Sequence, residues 1–164
     1  MTIQILSRKD LIAKVKEKPD TYNAIIINEP GNLKEVEESF QFCKSYFYIE
    51  FWDTYSAGKD APKIEDVSKI LKWAEDKDDI LVSCRLGVSR SSAIAYLIEM
   101  TRSDNAINLI DVTKHNPNLL ILRHGSKLLE KNVTQPLIDL FAEKHPGSLY
   151  QQRIYAYDLK AFKG

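Results

Sequence analysis

The sequence predicts an α/β domain with a mainly parallel central sheet of four to five strands, flanked by helices and followed by a helical final third. Three observations carry that expectation. Short β-rich runs at Ile3–Leu6, Ala24–Ile27, Tyr46–Trp52 and Ile80–Val82 are separated by stretches long enough to cross over a sheet. Several of those stretches repeat apolar residues at helical spacing, as in Ile64, Val67, Ile70, Leu71 and Ala74. After Met100 no further β-rich run appears, whereas Leu119–Leu129 and Leu137–Ala142 read as helices.

The elements follow in order. Ile3–Leu6 is a strand, and Ser7-Arg8-Lys9-Asp10 starts a helix with Ser7 as cap, running through Leu11, Ile12 and Val15 until Pro19. Ala24–Ile27 is a β-branched strand closed by a turn at Glu29-Pro30-Gly31-Asn32. The aromatic strand Tyr46–Trp52 leads into a loop from Asp53 to Ala61, and Pro62 suits an early helix position. That helix extends to about Glu75, ahead of the buried-strand run Ile80–Val82. A loop and a helix carrying Ala93, Ile94, Leu97, Ile98 and Met100 come next. Asp104 is placed to cap a segment through Ile107, Ile110 and Val112, broken at Asn116-Pro117-Asn118. The tyrosine-rich tail, 146–164, carries no assignable pattern.

The chain has 164 residues, 44% of them apolar and 28% charged, which suits one domain over 1–164. Lys plus Arg number 23 and Asp plus Glu number 23, so no overall basic footprint points to a nucleic-acid partner. The N-terminus lacks a basic leader followed by an apolar run, and no apolar stretch is long enough to span a bilayer. Two cysteines, Cys43 and Cys84, make no disulfide framework; a reducing, cytoplasmic setting with free thiols is the expectation. His115, His124 and His145 share no metal-ligand spacing with each other or with a cysteine, so neither metal nor cofactor is expected. Oligomeric state is not legible.

The chemistry concentrates in Ser83-Cys84-Arg85-Leu86-Gly87-Val88-Ser89-Arg90-Ser91. A tight loop between a strand and a helix turns successive backbone N–H groups inward and makes a concave anion site, to which the helix adds its positive end. Gly87 permits a backbone conformation that a Cβ would resist. Arg90 offers a planar fork of donors that matches two phosphate oxygens. The same surroundings favour the thiolate of a cysteine at the loop's start, and the thiolate is the nucleophilic form. Ser91 stands where its hydroxyl can hydrogen-bond that sulfur. In open α/β sheets ligands sit beyond the carboxyl ends of the strands, which is where the Ile80–Val82 strand delivers Cys84.

Cys84, five residues, Arg90 and then Ser91 resemble the signature of the protein tyrosine phosphatase superfamily, and Gly87-Val88-Ser89-Arg90-Ser91 is closest to its dual-specificity type. The likeness runs from about Tyr46 to about Leu129 and is similar to a group of small bacterial phosphatases. The resemblance implies hydrolysis of a phosphate monoester, on a phosphorylated protein or a small molecule, through a cysteinyl-phosphate and without a metal. Arg85, Leu86, Gly87, Val88, Ser89 and Arg90 would then cradle the phosphate. It also implies an aspartic acid about thirty residues upstream as general acid. Asp53, 31 positions before Cys84, answers to this, with Asp60 next. Pro117-Asn118 resembles the family's pattern of an Asn bracing the phosphate loop; a helix N-cap is the other role open to Asn118.

Ser83 departs from the pattern, since most members carry His before the nucleophile. That departure supports an alternative, a catalytically weak module that binds phosphorylated partners. Arg85 adds a positive charge that would suit polyphosphorylated substrates, while pairing with a surface carboxylate is its plainer role. Trp52 or Tyr55 could wall the substrate pocket, and Cys43 could pair with Cys84 on oxidation.

Overall fold

The computed structural model describes residues 2–163, with side chains through Tyr157. Four strands, β1 (Ile3–Ser7), β2 (Asn23–Asn28), β3 (Ser45–Glu50) and β4 (Ile80–Cys84), form one sheet in the order β1-β4-β2-β3, with every pairing parallel. Ser7 lies opposite Cys84 and Asn28 opposite Glu50, so the carboxyl ends of the strands meet along one rim.

The alternation of side chains along β2 divides the core in two. Ala24 and Ile26 pack with Leu81 against Leu11 and Val15 of α1 (Arg8–Glu17). Ile25 and Ile27 face the other way with Val82, onto the helices α2 (Ile64–Ala74) and α3 (Arg90–Met100). Helices thus cover both faces, as a parallel sheet of β-branched strands requires. Ser7 caps α1 by accepting from the Asp10 N–H at 3.1 Å, and the helix stops at Glu17, two residues before Pro19.

The helix α3 is buried from Arg90 through Ile98, which makes it the central post of the second layer. Across it lies α4 (Leu119–Leu129), brought so close that a Cβ on Gly125 would stand 2.3 Å from Leu97 Cδ2. Two further helices, α5 (Gln135–Lys144) and α6 (Leu149–Lys163), complete the chain.

Three sequence expectations need correction. Pro62 lies outside the α2 helix: Lys63 is its cap, and the Asp66 carboxylate accepts from the Lys63 N–H at 3.0 Å. The stretch through Ile107, Ile110 and Val112 is a short 3-10 turn, Ala106–Leu109, rather than an α-helix. Asp104 is not its cap: Asn105 holds that position and makes no side-chain cap, and after the turn the chain folds back so that the Asp111 N–H donates to His115 Nδ1 at 3.0 Å. The tail is helical. Tyr150, Ile154 and Tyr157 recur one turn apart; Tyr150 packs at a tilt against Phe141, ring centroids 4.6 Å apart, and donates its hydroxyl to the Pro117 carbonyl at 2.7 Å.

Candidate active site

Cys84 ends β4 and Arg90 begins α3, so the six-residue advance between them is a strand-to-helix loop at the carboxyl rim of the sheet. Gly87 turns that loop with φ at +70°, in the left-handed region. A Cβ there would lie 2.7 Å from both the Leu6 carbonyl carbon and the Ser7 nitrogen, so the loop packs backbone to backbone on the β1–α1 junction.

Scaffold donors hold the loop carbonyls outward. Arg85 O accepts from the Arg8 N–H at 3.3 Å, Val88 O from the Asn116 N–H at 2.9 Å, and Ser89 O from the Asn118 N–H at 3.1 Å. The Ser92 hydroxyl lies within bonding distance of both Val88 O and Ser89 O. The described residues contain no cis peptide, and in a trans peptide the N–H of the next residue opposes the carbonyl. The N–H groups of Leu86, Ser89 and Arg90 are therefore directed away from those anchors.

Asp53, Cys84, Arg85, Leu86, Val88, Ser89 and Arg90 line one cleft of about 150 Å³. Cys84 is 3% exposed, and its Sγ lies 3.0 Å from Ser91 Oγ. Arg90 is buried; one Nη1–H donates to the Phe51 carbonyl at 3.0 Å, while its Nε has no hydrogen-bond partner among the described residues. Asp53 stands on the loop after β3. Its Oδ1 accepts from Ser89 Oγ at 2.7 Å and from Asn118 Nδ2 at 2.7 Å.

The Asn118 side chain works in two directions. Its Oδ1 caps α4 by accepting from the Ile121 N–H at 2.9 Å, while its amide donates to Asp53 and, at 3.0 Å, to the Thr54 carbonyl. Capping, loop contact through its backbone N–H, and a hold on Asp53 thus coexist in one residue. Asp60 is absent from the cleft lining; its carbonyl accepts from the Trp52 N–H at 2.8 Å and closes the Asp53 loop at its base. Trp52 and Tyr55 do not line the cleft either, and Tyr55 borders a separate depression with Leu119, Arg153, Ala156 and Tyr157.

Glu29, legible in the sequence only as part of a turn, is the residue that sequence reasoning missed. It follows β2 at the same rim, is buried, and faces three arginines: Arg8 Nη2 at 2.7 Å, Arg90 Nη1 at 3.7 Å and Arg85 Nε at 4.0 Å. Arg8 also pairs through Nη1 with Glu35. An acidic residue directly after a buried parallel strand lies where such sheets bind ligands, and that position was the available signal.

Ser83 is buried with its hydroxyl unpartnered among the described residues. Cys43 precedes β3 at the opposite end of the strands from Cys84, which rules out a bond between them in this fold. Burial pushes the Cys43 thiol up to about 11. No group of three or more His, Cys, Asp or Glu among the described residues is arranged to hold a metal ion. No described helix is long and apolar enough to cross a membrane.

No family model matches the sequence, and no curated protein matches it. Among solved structures, the active form of Tk-PTP is 17% identical with a TM-score of 0.44, over 82% of this chain and 93% of that one. A DUF442 protein named as a phosphatase, from Shewanella putrefaciens CN-32, is 18% identical with a TM-score of 0.47, over 77% of this chain and 85% of that one.

Proposed function

We propose that this chain hydrolyses phosphate monoesters through a cysteinyl-phosphate intermediate. The observation that carries the reading is the convergence on one small cleft of the Cys84 sulfur, the Arg90 guanidinium and loop amides opposed to anchored carbonyls. A tetrahedral dianion fits such a cradle: Arg90 and the amides bind its equatorial oxygens, while Cys84 lies below the phosphorus.

In the first step the Cys84 thiolate attacks phosphorus, the S–P bond forms and the P–O ester bond breaks. Asp53 hands its proton to the departing oxygen, so the leaving group departs as a neutral alcohol or phenol. Both hydrogen bonds to Asp53 fall on Oδ1, so Oδ2 is the oxygen suited to carry that proton. In the second step water attacks phosphorus, Asp53 takes its proton, the S–P bond breaks and inorganic phosphate leaves. The Ser91 hydroxyl, 3.0 Å from the sulfur, stabilises the returning thiolate by donating to it.

A second reading, phosphate recognition with little turnover, is favoured by one feature. Among the described residues the Ser83 hydroxyl makes no bond that could brace the loop from below. Phosphate release from p-nitrophenyl phosphate and a phosphotyrosine peptide, in chelator, separates the two. The enzyme reading expects turnover that Cys84→Ser abolishes and Asp53→Ala lowers. Binding of the peptide by wild type and Cys84→Ser alike, with no turnover by either, would establish the recognition module instead.

A further inference from the structure

Beside the Cys84 cleft lies a second depression, of about 410 Å³, lined by Arg8, Lys9, Ile12, Glu35, Arg85 and Leu86. The two are contiguous, since Arg85 and Leu86 line both. The contact is fixed in the backbone: Arg8, the first residue of α1, donates its N–H to the Arg85 carbonyl. The two depressions therefore hold a set spacing, as two phosphate sites on one rigid rim would.

Its charge is lopsided. Arg8, Lys9 and Arg85 meet there with a single lining carboxylate, Glu35, while the buried Glu29 lies behind them and is shared with Arg90. Arg85 is held only at 4.0 Å from Glu29 and its side chain is 69% exposed, so most of its fork is open. Lys9 is exposed as well. Glu35 is half exposed, pairs with Arg8 Nη1, and occupies the depression as an anion would. Ile12 gives the floor an apolar patch against which the body of a small substrate can lie.

We propose that this depression is an anion subsite, selecting substrates that carry a second phosphate close to the one delivered to Cys84. The inference rests on the phosphatase reading and names its substrate class: small molecules with two or more phosphates on one compact frame. The incoming second phosphate displaces Glu35 from Arg8 and bridges Arg8, Lys9 and the open fork of Arg85. A dianion draws more from that set than the single exposed carboxylate it replaces, because charge-assisted bonds to Arg are strongest when bidentate.

The test compares phenyl phosphate with ortho-, meta- and para-phenylene bisphosphate, reading kcat/KM for phosphate release in wild type, Lys9→Gln and Glu35→Gln. Wild type should prefer one of the bisphosphates over phenyl phosphate. Lys9→Gln should cut that preference about 3- to 10-fold, the scale of a partly exposed charge-assisted contact. Glu35→Gln should raise it by a similar factor, because the internal competitor is gone. Both variants should leave phenyl phosphate turnover as in wild type. An equal bisphosphate preference in all three proteins would overturn the subsite. Titration of the same ligands into Cys84→Ser keeps the two readings apart. Tighter bisphosphate binding that depends on Lys9, without turnover by wild type, would uphold the subsite while sinking the catalytic reading.

Discussion

Asn118 Nδ2 lies 2.7 Å from Asp53 Oδ1, joining the loop after β3 to the first turn of α4 across 65 positions of sequence. The same side chain caps α4 through its other atom. Asp53 is thereby anchored to a helix end rather than left to the mobility of an exposed loop, and its carboxylate is held over the cleft by Asn118 and Ser89 together.

Substituting Asn118 separates its two bonds. Ser is a comparable cap, so Asn118→Ser should keep stability within about 1 kcal/mol of wild type. It cannot reach Asp53, however, and if Asp53 is the proposed general acid kcat should fall roughly 10-fold. Asn118→Ala should lose that activity and a further ~1 kcal/mol in urea unfolding, because the Ile121 N–H is left without a cap. Equal stability of the two variants would mean that the cap contributes nothing.

Gly87→Ala should empty the cleft of function. At φ +70° an alanine is strained, and its methyl would press at 2.7 Å on backbone atoms of Leu6 and Ser7 that cannot swing aside. Together the strain and the displaced loop should cost about 2–4 kcal/mol in thermal or denaturant unfolding and abolish phosphate binding. A variant that binds phosphate like wild type would show that the loop does not depend on that close approach.

Much of this site was legible because it is contiguous. Seven residues from Cys84 to Arg90 sit between an apolar run and a helical pattern, and local geometry follows from that order. The Asp53 and Asn118 positions were legible as types but not as a pair, since nothing local in sequence reports a contact between two loops. Glu29 stayed hidden because Glu-Pro-Gly-Asn has the composition of an exposed turn, while its burial comes from Arg8 and Arg90, 21 and 61 positions away. The tail failed for a different reason: Ile154 on its core face is flanked by Tyr150 and Tyr157, whose hydroxyls blur the apolar period although Tyr150 is buried and bonded.

Glu29→Gln removes the carboxylate that Arg8 and Arg90 share while keeping its shape. The buried Arg90 guanidinium would lose its counter-charge and the part-buried Arg8 one of its two, and breaking such a cluster from one side should destabilise the protein by about 3 kcal/mol. Arg90 would also lose one of the two groups that hold its Nη1, so phosphate affinity should drop even where the variant is folded. Unchanged urea midpoint and phosphate affinity would show that the cluster is dispensable.

Ser83→Ala tests the opposite case, a buried polar atom with no partner. The hydroxyl is desolvated within β4 and makes no hydrogen bond among the described residues. Removing it should leave stability unchanged or raise it by up to about 1 kcal/mol, because the unmet desolvation cost disappears. A loss of more than that in denaturant unfolding would reveal a bond the hydroxyl makes in solution.

Two histidines should contribute to the acid limb of stability. Burial is the first cause that lowers the proton affinity of both His115 and His124 below the ordinary value; Lys114 adds to it at His115, and at His124 Lys127 and Arg123 do so against a raising contact with Pro62 O. The hydrogen bonds agree with the neutral forms. His115 Nδ1 accepts from the Asp111 N–H, and protonation there would set two donors against each other. His124 reaches the Pro62 carbonyl through Nε2 at 3.0 Å, which leaves a protonated Nδ1 as a buried donor without an acceptor among the described residues. A folded-state value depressed below the unfolded one means that the unfolded chain binds more protons. Stability is therefore whole above the ordinary histidine value of about 6.5 and falls as pH drops through it, levelling once the folded histidines are protonated too. Urea midpoints between pH 8 and pH 5 should show this decline, and His115→Gln with His124→Gln should flatten it. The same slope in the double variant would overturn the assignment to these two histidines.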